Sequence, residues 1–168
     1  MKIPPRTKKG LNNQVLLEAA ASSSYLGTAS WCETAGYPGA ATYFYAQSAE
    51  ERDHMLKVVR YLNSMGSTAV IPAVPAPSYS HKSLEGALKA SLRGEQQVTR
   101  AIHALLETAQ AEKDHSTAVF LEWFVTEQVQ EETKFEAVLQ RFDVLGRDRL
   151  AVAEIDRELG ASAPQPGE

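Results

Sequence analysis

Apolar residues recur at intervals of three and four along most of the chain, which is the periodicity of amphipathic α-helices. Because proline disrupts a helix interior, long helices are favoured in the ranges that lack it, which are residues 6–37, 39–71 and 78–163. The pattern predicts four long helices and a short fifth helix, over about residues 11–36, 40–65, 84–112, 115–145 and 148–159. Ser83 and Asp114 are expected to cap the third and fourth helices, and the tail at residues 160–168, "GASAPQPGE", is predicted to be disordered.

The second and third predicted helices are joined by a long segment, residues 67–82, which contains three prolines. Prolines favour an extended chain, and helices of these lengths are each roughly 40 Å long at ~1.5 Å per residue. The segment can therefore return the chain along the helices, so that the second and third helices run parallel. The predicted fold is all-α: a four-helix bundle with one long crossover and a short fifth C-terminal helix.

Composition narrows the class of protein. A chain of 168 residues with 43% hydrophobic content suits one domain with a buried core. A formal charge of −4 argues against a nucleic-acid-binding protein, and the basic residues Lys2, Arg6, Lys8 and Lys9 are interpreted as a solvated arm. Cys32 is the single cysteine, so neither an internal disulfide nor a cysteine metal cluster is expected. Without a long apolar run or the apolar core of a signal peptide, we expect a cytoplasmic protein with no membrane partner.

Each predicted apolar stripe is interrupted near the middle of its helix by polar residues that can bind a metal ion. A single Glu on a helix is usually solvated, and a lone Glu-x-x-His often arises by chance. A carboxylate on a buried stripe, however, is costly unless it is paired or bound to a metal. The interrupting residues are Glu18, Glu51, His54, Glu95, Gln128 and Glu131.

A shift of 77 residues relates the two halves of this set, so these residues form an internal repeat. It takes Glu18 to Glu95, Glu51 to Gln128, His54 to Glu131, and also Glu50 to Glu127. Two helical hairpins would each supply one carboxylate and one pair spaced by three, which is how di-iron carboxylate bundles are built. The oxygen-rich set with one imidazole favours iron, manganese or another hard to borderline divalent ion over a structural zinc ion.

Several segments resemble the bacterial non-haem ferritins. They are "LLEAAASSSYL", "AQSAEERDHM", "GEQ", "FLEWFVTEQVQEE" and "EIDREL", and the resemblance extends over nearly the whole chain, about residues 11–159. It implies a ferritin-like four-helix bundle with a di-iron centre inside each subunit.

The resemblance also implies roles for individual residues. Glu18, Glu51 and His54 would hold a first iron ion, and Glu51, Glu95 and Glu131 a second, with Glu51 bridging the two. Gln128 would lie beside the centre. Tyr25, seven residues after Glu18 and so on the same helix face, would hydrogen-bond near the centre and serve in electron transfer; simple packing is the alternative for it.

Many relatives bind a third iron ion beside the pair, and the resemblance places that site at Glu50, Glu127 and Gln130. Because a neutral amide is a poorer iron ligand than a carboxylate, Gln130 predicts a weakened third site. Trp123 matches an aromatic residue that lies near the centre in the family, although its position by itself favours core packing.

The implied function is iron storage and detoxification by a ferroxidase that oxidises Fe(II) with O2 or H2O2 and deposits ferric mineral inside a shell of 24 subunits. The alternative is a small di-iron peroxidase or oxidase without mineral storage. Bacterioferritin-like haem binding is not expected, because Arg52 stands where that family has its haem-ligating methionine. The mini-ferritins lack a fifth helix, so the predicted fifth helix argues against that class. A purely structural helical module is the non-enzyme alternative, and it would bind no iron stoichiometrically.

Overall fold

The computed structural model describes residues 2–78 and 80–163, and within these ranges all regular structure is helical. Four long helices form a bundle and a short fifth helix packs at one end of it, which confirms the predicted fold class. The helices are α1 (Pro5–Ala35), α2 (Pro38–Ser64), α3 (Leu84–Ala111), α4 (His115–Leu145) and α5 (Arg149–Ser162). None of the helices in the described ranges is long and apolar enough to cross a membrane.

Helix α1 begins at Pro5, earlier than the predicted start at residue 11. Arg6, Lys8 and Lys9 are exposed, as predicted, but they belong to this helix and not to a separate arm. Proline suits the first helical position because the backbone N–H that it lacks would have no partner within the helix. The first turn is fixed from the far end of α3, where a Glu112 carboxylate oxygen accepts from the Thr7 amide at 2.8 Å and from its hydroxyl at 2.7 Å.

The predicted caps of α3 and α4 are present. The Ser83 hydroxyl accepts from the Gly86 amide at 3.0 Å, and an Asp114 oxygen accepts from the Thr117 amide at 3.1 Å. Each bond satisfies one of the amides that a helix N-terminus leaves without a partner in the helix. The boundaries of these two helices therefore follow from the local sequence.

The N-terminus of α2 is capped from α5. Tyr37 offers no side-chain cap, and instead the Asp156 carboxylate accepts from the amides of Gly39 at 3.1 Å and Ala40 at 2.7 Å. Gly160 packs directly on Gly39, so α5 continues to Ser162 and the prediction of disorder from residue 160 is wrong for residues 160–162. Residues 164–168 of that predicted tail lie outside the described residues.

The crossover lies along α1. Helix α1 is antiparallel to α2, since Ser22 pairs with Ser48 while the later Glu33 pairs with the earlier Tyr45. It is also antiparallel to α3, where Thr7 pairs with Glu112 and Tyr25 with Glu95. Helices α2 and α3 are therefore parallel, as predicted. The segment that joins them, residues 67–82, is called the strap. Its Val70 amide donates to Asn12 Oδ1 of α1 at 2.7 Å, and near its other end His81 Nε2 lies 3.2 Å from Thr28 Oγ1.

Two apolar clusters fill the bundle on either side of a polar layer. The cluster next to α5 includes Phe44, Phe135 and Phe142, and the cluster at the other end includes Leu11, Leu62 and Ile102. The predicted metal-binding residues lie in the layer between the two clusters. Their side chains are thus held by rigid helices with packed cores on both sides.

Candidate metal centre

Six polar side chains converge in the middle of the bundle, and each is at most 5% exposed. Helix α1 contributes one, α2 two, α3 one and α4 two. They are the six that the sequence repeat singled out: Glu18, Glu51, His54, Glu95, Gln128 and Glu131. The helix periodicity places them on inward faces, and the antiparallel pairing of each hairpin brings the two halves of the set to the same level.

Three of these residues form a compact donor group. One ligand atom each from Glu18, Glu51 and His54 lie within 4.8 Å of one another. His54 Nδ1 is 3.4 Å from a Glu51 carboxylate oxygen, and Gln14, one turn before Glu18, donates to Glu18 Oε1 at 2.7 Å. The arrangement is suited to a divalent cation, because two anionic groups and an imidazole face a common point.

The second half of the centre is organised around Glu95. The Tyr25 hydroxyl donates a short hydrogen bond to one Glu95 oxygen, and the Gln128 amide donates to the other at 3.1 Å. Tyr25 is itself fixed by stacking against Phe44 and Phe135, with ring centroids 5.8 and 5.9 Å apart. Hydrogen bonds of this kind orient a ligating carboxylate and hold it in a single rotamer.

Three carboxylate oxygens in the centre are buried without a hydrogen-bond partner among the described residues: Glu18 Oε2, Glu51 Oε1 and Glu131 Oε2. A buried, unpartnered carboxylate oxygen is strongly destabilising. Such atoms, on three different helices and beside an imidazole, are what a hard cation would satisfy. The residues present therefore fit a site for iron or manganese.

The electrostatics of the donor set also favour a bound cation. Burial raises the pKa of Glu18 and of Glu51 well above the usual range, and neighbouring carboxylates raise them further. Burial also raises the pKa of Glu95 against the hydrogen bond from Tyr25, and it raises the pKa of Glu131 to about 7 against the opposing hydrogen bond from Lys134. Positive charge at this point would reverse those shifts and stabilise the ionised carboxylates.

Two of the three residues of the predicted third site, Glu50 and Glu127, lie close together. Ligand atoms of Glu50 and Glu127 lie within 4.8 Å of one another and of His54. Gln130, by contrast, is exposed on α4. The weakened third site stays a prediction, because it depends on the ligand chemistry of the Gln130 amide.

Trp123 is not a core residue: it is 38% exposed, so the interpretation as core packing is wrong. Its ring meets the His54 ring edge-on at a centroid distance of 5.4 Å, and Lys57 Nζ lies 3.8 Å from its centroid on the outer side. The three side chains border an open cleft of about 1090 Å³ that also includes Glu50 and Glu127. Trp123 therefore packs edge-on against the imidazole at the wall of this cleft, and both rings border it.

Lys134 and Tyr43 are among the residues near the centre that the sequence analysis missed, as is Gln14. Lys134 Nζ lies 2.8 Å from Glu131 Oε1, and the position of this lysine three residues after Glu131 was the available signal. Tyr43 is 6% exposed, and burial together with the Glu131 charge raises the pKa of its hydroxyl. Nothing in the helix pattern distinguished Tyr43 from an ordinary core aromatic.

Comparison with known proteins gives consistent results. A family model described as a ferritin-like domain matches residues 8–145. A probable bacterial non-heme ferritin-like protein of Haemophilus influenzae is 39% identical over 152 residues, which cover 90% of this chain and 92% of that protein. The bacterial non-heme ferritin of Staphylococcus aureus strain USA300 is 39% identical over 153 residues, with 91% and 92% covered.

Solved structures of ferritins are also similar to this chain. The open pore ferritin of the archaeon Archaeoglobus fulgidus has a TM-score of 0.92 and 31% identity, with 95% of this chain and 98% of that chain covered. A humanized archaeal ferritin has a TM-score of 0.93 and 29% identity, with 98% and 100% covered. The similarity thus extends over the four long helices and α5.

Proposed function

The chain belongs to the ferritin family, and from that membership and the geometry of the centre we propose that it stores iron and oxidises Fe(II) at a site within each subunit. The observation that carries the proposal is the layer of six buried polar side chains in which three carboxylate oxygens have no partner among the described residues. A structural helical module would not retain such a costly cluster.

The donor positions suggest how two iron ions are held. Glu18 and His54 serve the first ion, Glu95 and Glu131 serve the second, and Glu51 bridges them. The assignment of Glu51 as the bridge is supported by its place between the groups: its Oε2 lies 3.4 Å from His54 Nδ1, while the nearby Glu95 and Glu131 raise its pKa. Its other oxygen has no partner among the described residues and is free to take a metal ion.

The two Fe(II) ions, as substrates, are each oxidised to Fe(III), and their two electrons together with two protons from water reduce O2 to H2O2, or H2O2 to two water molecules. The carboxylates favour this oxidation because their negative charge stabilises Fe(III) more than Fe(II). Gln14, Tyr25 and Gln128 orient carboxylate oxygens by hydrogen bonds. Tyr25 is, in addition, our candidate for a residue that supplies an electron to the centre.

Two openings lead toward the centre. A cleft of about 220 Å³ between α1 and α3, bordered by small side chains such as Ala20 and Ser91, reaches Tyr25 and Glu95. The larger cleft beside Trp123 approaches from the α2 and α4 side. We propose the narrow cleft for the oxidant, since small neutral molecules suit its size. We propose the wide cleft for iron, because its lining includes Glu50, Asp53 and Glu127.

Storage requires an enclosed space, which one bundle does not provide. We propose that 24 subunits form a shell in the cytoplasm, as implied by the resemblance to ferritins, with ferric mineral deposited inside. Exposed apolar side chains on α1 and the strap, at Leu26, Val70 and Ile71, support burial against other subunits. A shell would carry a formal charge of 24 × −4 = −96, which favours cation uptake.

The test is to add Fe(II) in air to the metal-free protein, follow ferric absorbance and measure mass by size exclusion. We expect oxidation well above the buffer rate by a species of about 24 subunits, and loss of that rate in Glu51→Ala. Oxidation no faster than buffer would refute the ferroxidase assignment. Fast oxidation by a monomer would instead indicate a small di-iron oxidase without storage.

A further inference from the structure

Lys134 places a positive charge at the edge of the donor set, between α4 and α2. Its Nζ lies 2.8 Å from Glu131 Oε1 and 3.3 and 3.4 Å from the two oxygens of Glu50. An ammonium group has three N–H donors, and here three carboxylate oxygens surround it. The side chains of Lys134 and Glu50 are each about one-third exposed, whereas the Glu131 side chain is fully buried, so this group lies at the edge of the buried polar layer.

The contacts divide the oxygens of the two carboxylates unequally. Glu50 is fully engaged, because Gln47 also donates to its Oε2 at 2.7 Å. Glu131 is engaged on one oxygen only, and its Oε2 has no partner among the described residues. Lys134 therefore leaves Glu131 free to bind one metal ion but occupies the side that faces Glu50.

We propose that Lys134 is a built-in cation that stands in for a third metal ion beside the pair and limits the centre to two. The inference rests on the proposed function, since it takes Glu131 as a ligand of one of those two ions. An ammonium and a divalent ion at this place compete for the same three oxygens. Gln130 is exposed and its amide is neutral, so it adds no negative charge that would help a metal ion displace the ammonium.

Removal of Lys134 would free a usable set of donors. Glu50 lies within 4.8 Å of Glu127 and His54, measured between ligand atoms. Once the ammonium is gone, Glu50 keeps the hydrogen bond from Gln47 and loses its cationic partner, and Glu131 Oε1 loses its hydrogen bond from Lys134. A third divalent ion would then bind at Glu50, with Glu127 or Glu131 as the second carboxylate.

The experiment is a calorimetric titration of the assembled, metal-free protein with Zn²⁺, a redox-inert probe. Lys134→Met is compared with Lys134→Arg, which keeps the charge, and with Lys89→Met, which removes a lysine from a helical ion pair with Glu85 on α3. We expect two Zn²⁺ ions per subunit in the unmodified, Lys134→Arg and Lys89→Met proteins. We expect three in Lys134→Met, with the third bound at least tenfold more tightly than any third ion in the unmodified protein.

The double variant Lys134→Met, Glu50→Gln should return to two ions, and zinc-edge anomalous scattering from Lys134→Met crystals should place the third ion at Glu50. If Lys134→Met fails to fold, judged by circular dichroism, Lys134→Gln takes its place in the titration. Two ions in the folded variant, with dissociation constants within twofold of the unmodified protein, would overturn the inference. Fewer than two ions in the unmodified protein would instead count against the proposed function.

Discussion

Replacing Glu131 by Gln in the metal-free protein should stabilise it at neutral to alkaline pH. The folded protein holds the pKa of Glu131 at about 7, above the ordinary value of 4.5, chiefly because the side chain is buried. The folded state therefore binds this proton more tightly than the unfolded state does. Stability from this group is complete below pH 4.5 and is lost as the pH rises to about 7.

The size of the effect follows from the two pKa values. The difference between 4.5 and about 7 corresponds to roughly 3 kcal/mol, at about 1.36 kcal/mol per pH unit. Glutamine has the same shape and no charge, so Glu131→Gln avoids this cost at pH 8. For a chain of this length the melting temperature should rise by roughly 6–12 °C.

Thermal unfolding followed by circular dichroism at a fixed protein concentration, at pH 5 and pH 8, measures the effect. The advantage of Glu131→Gln should be near its full size at pH 8 and about a quarter of that at pH 5, which lies just above the pKa of the unfolded state. Glu136→Gln, an exposed position on the same helix, is the control and should show little change. The reasoning is refuted if Glu131→Gln is less stable than the unmodified protein at pH 8, or if the difference does not vary with pH.

Other substitutions test separate parts of the structure. Tyr25→Phe keeps the aromatic stacking but removes the donor to Glu95, and we expect the initial rate of Fe(II) oxidation to fall by about 10-fold or more, measured by stopped-flow absorbance. Gly39→Ala should lower stability by about 1–3 kcal/mol in thermal unfolding, because an added Cβ would overlap the backbone oxygen of Asp156. Gly94→Ala should raise stability by about 0.5–1 kcal/mol, since a Cβ there meets no described atom within 4 Å. Asp156→Ala should lower the free energy of unfolding by about 1–2 kcal/mol in thermal unfolding, because the Gly39 and Ala40 amides lose their cap; an unchanged melting temperature would contradict this.

The sequence predicted the bundle and the convergence of the six polar residues for a physical reason. A four-helix bundle has one core, so residues on the inward stripes at the same level must meet. The 77-residue repeat located that level because it equated Glu18 with Glu95 and His54 with Glu131. Ser83 and Asp114 were likewise predictable, because a cap acts on amides two or three residues away.

The features that the sequence did not predict depend on contacts between distant residues or on long side chains. Thr7 is held by Glu112, 105 positions later, and α2 is capped by Asp156, 117 positions after Gly39. Lys134 begins outside the inward stripe, and its flexible stem carries the charge back to the centre. Helical periodicity describes where a side chain begins, which is insufficient when the charged end lies several atoms away.

The strap also divides the donor set evenly between two pieces of chain. A break between residues 65 and 83 would leave Glu18, Glu51 and His54 on one fragment and Glu95, Gln128 and Glu131 on the other. Helix α5 belongs to the second fragment but caps and packs on α2 of the first. The two fragments, produced separately, would thus share both a docking contact and a metal-binding site. The dependence of their association on metal would directly measure how strongly the centre holds the two hairpins together.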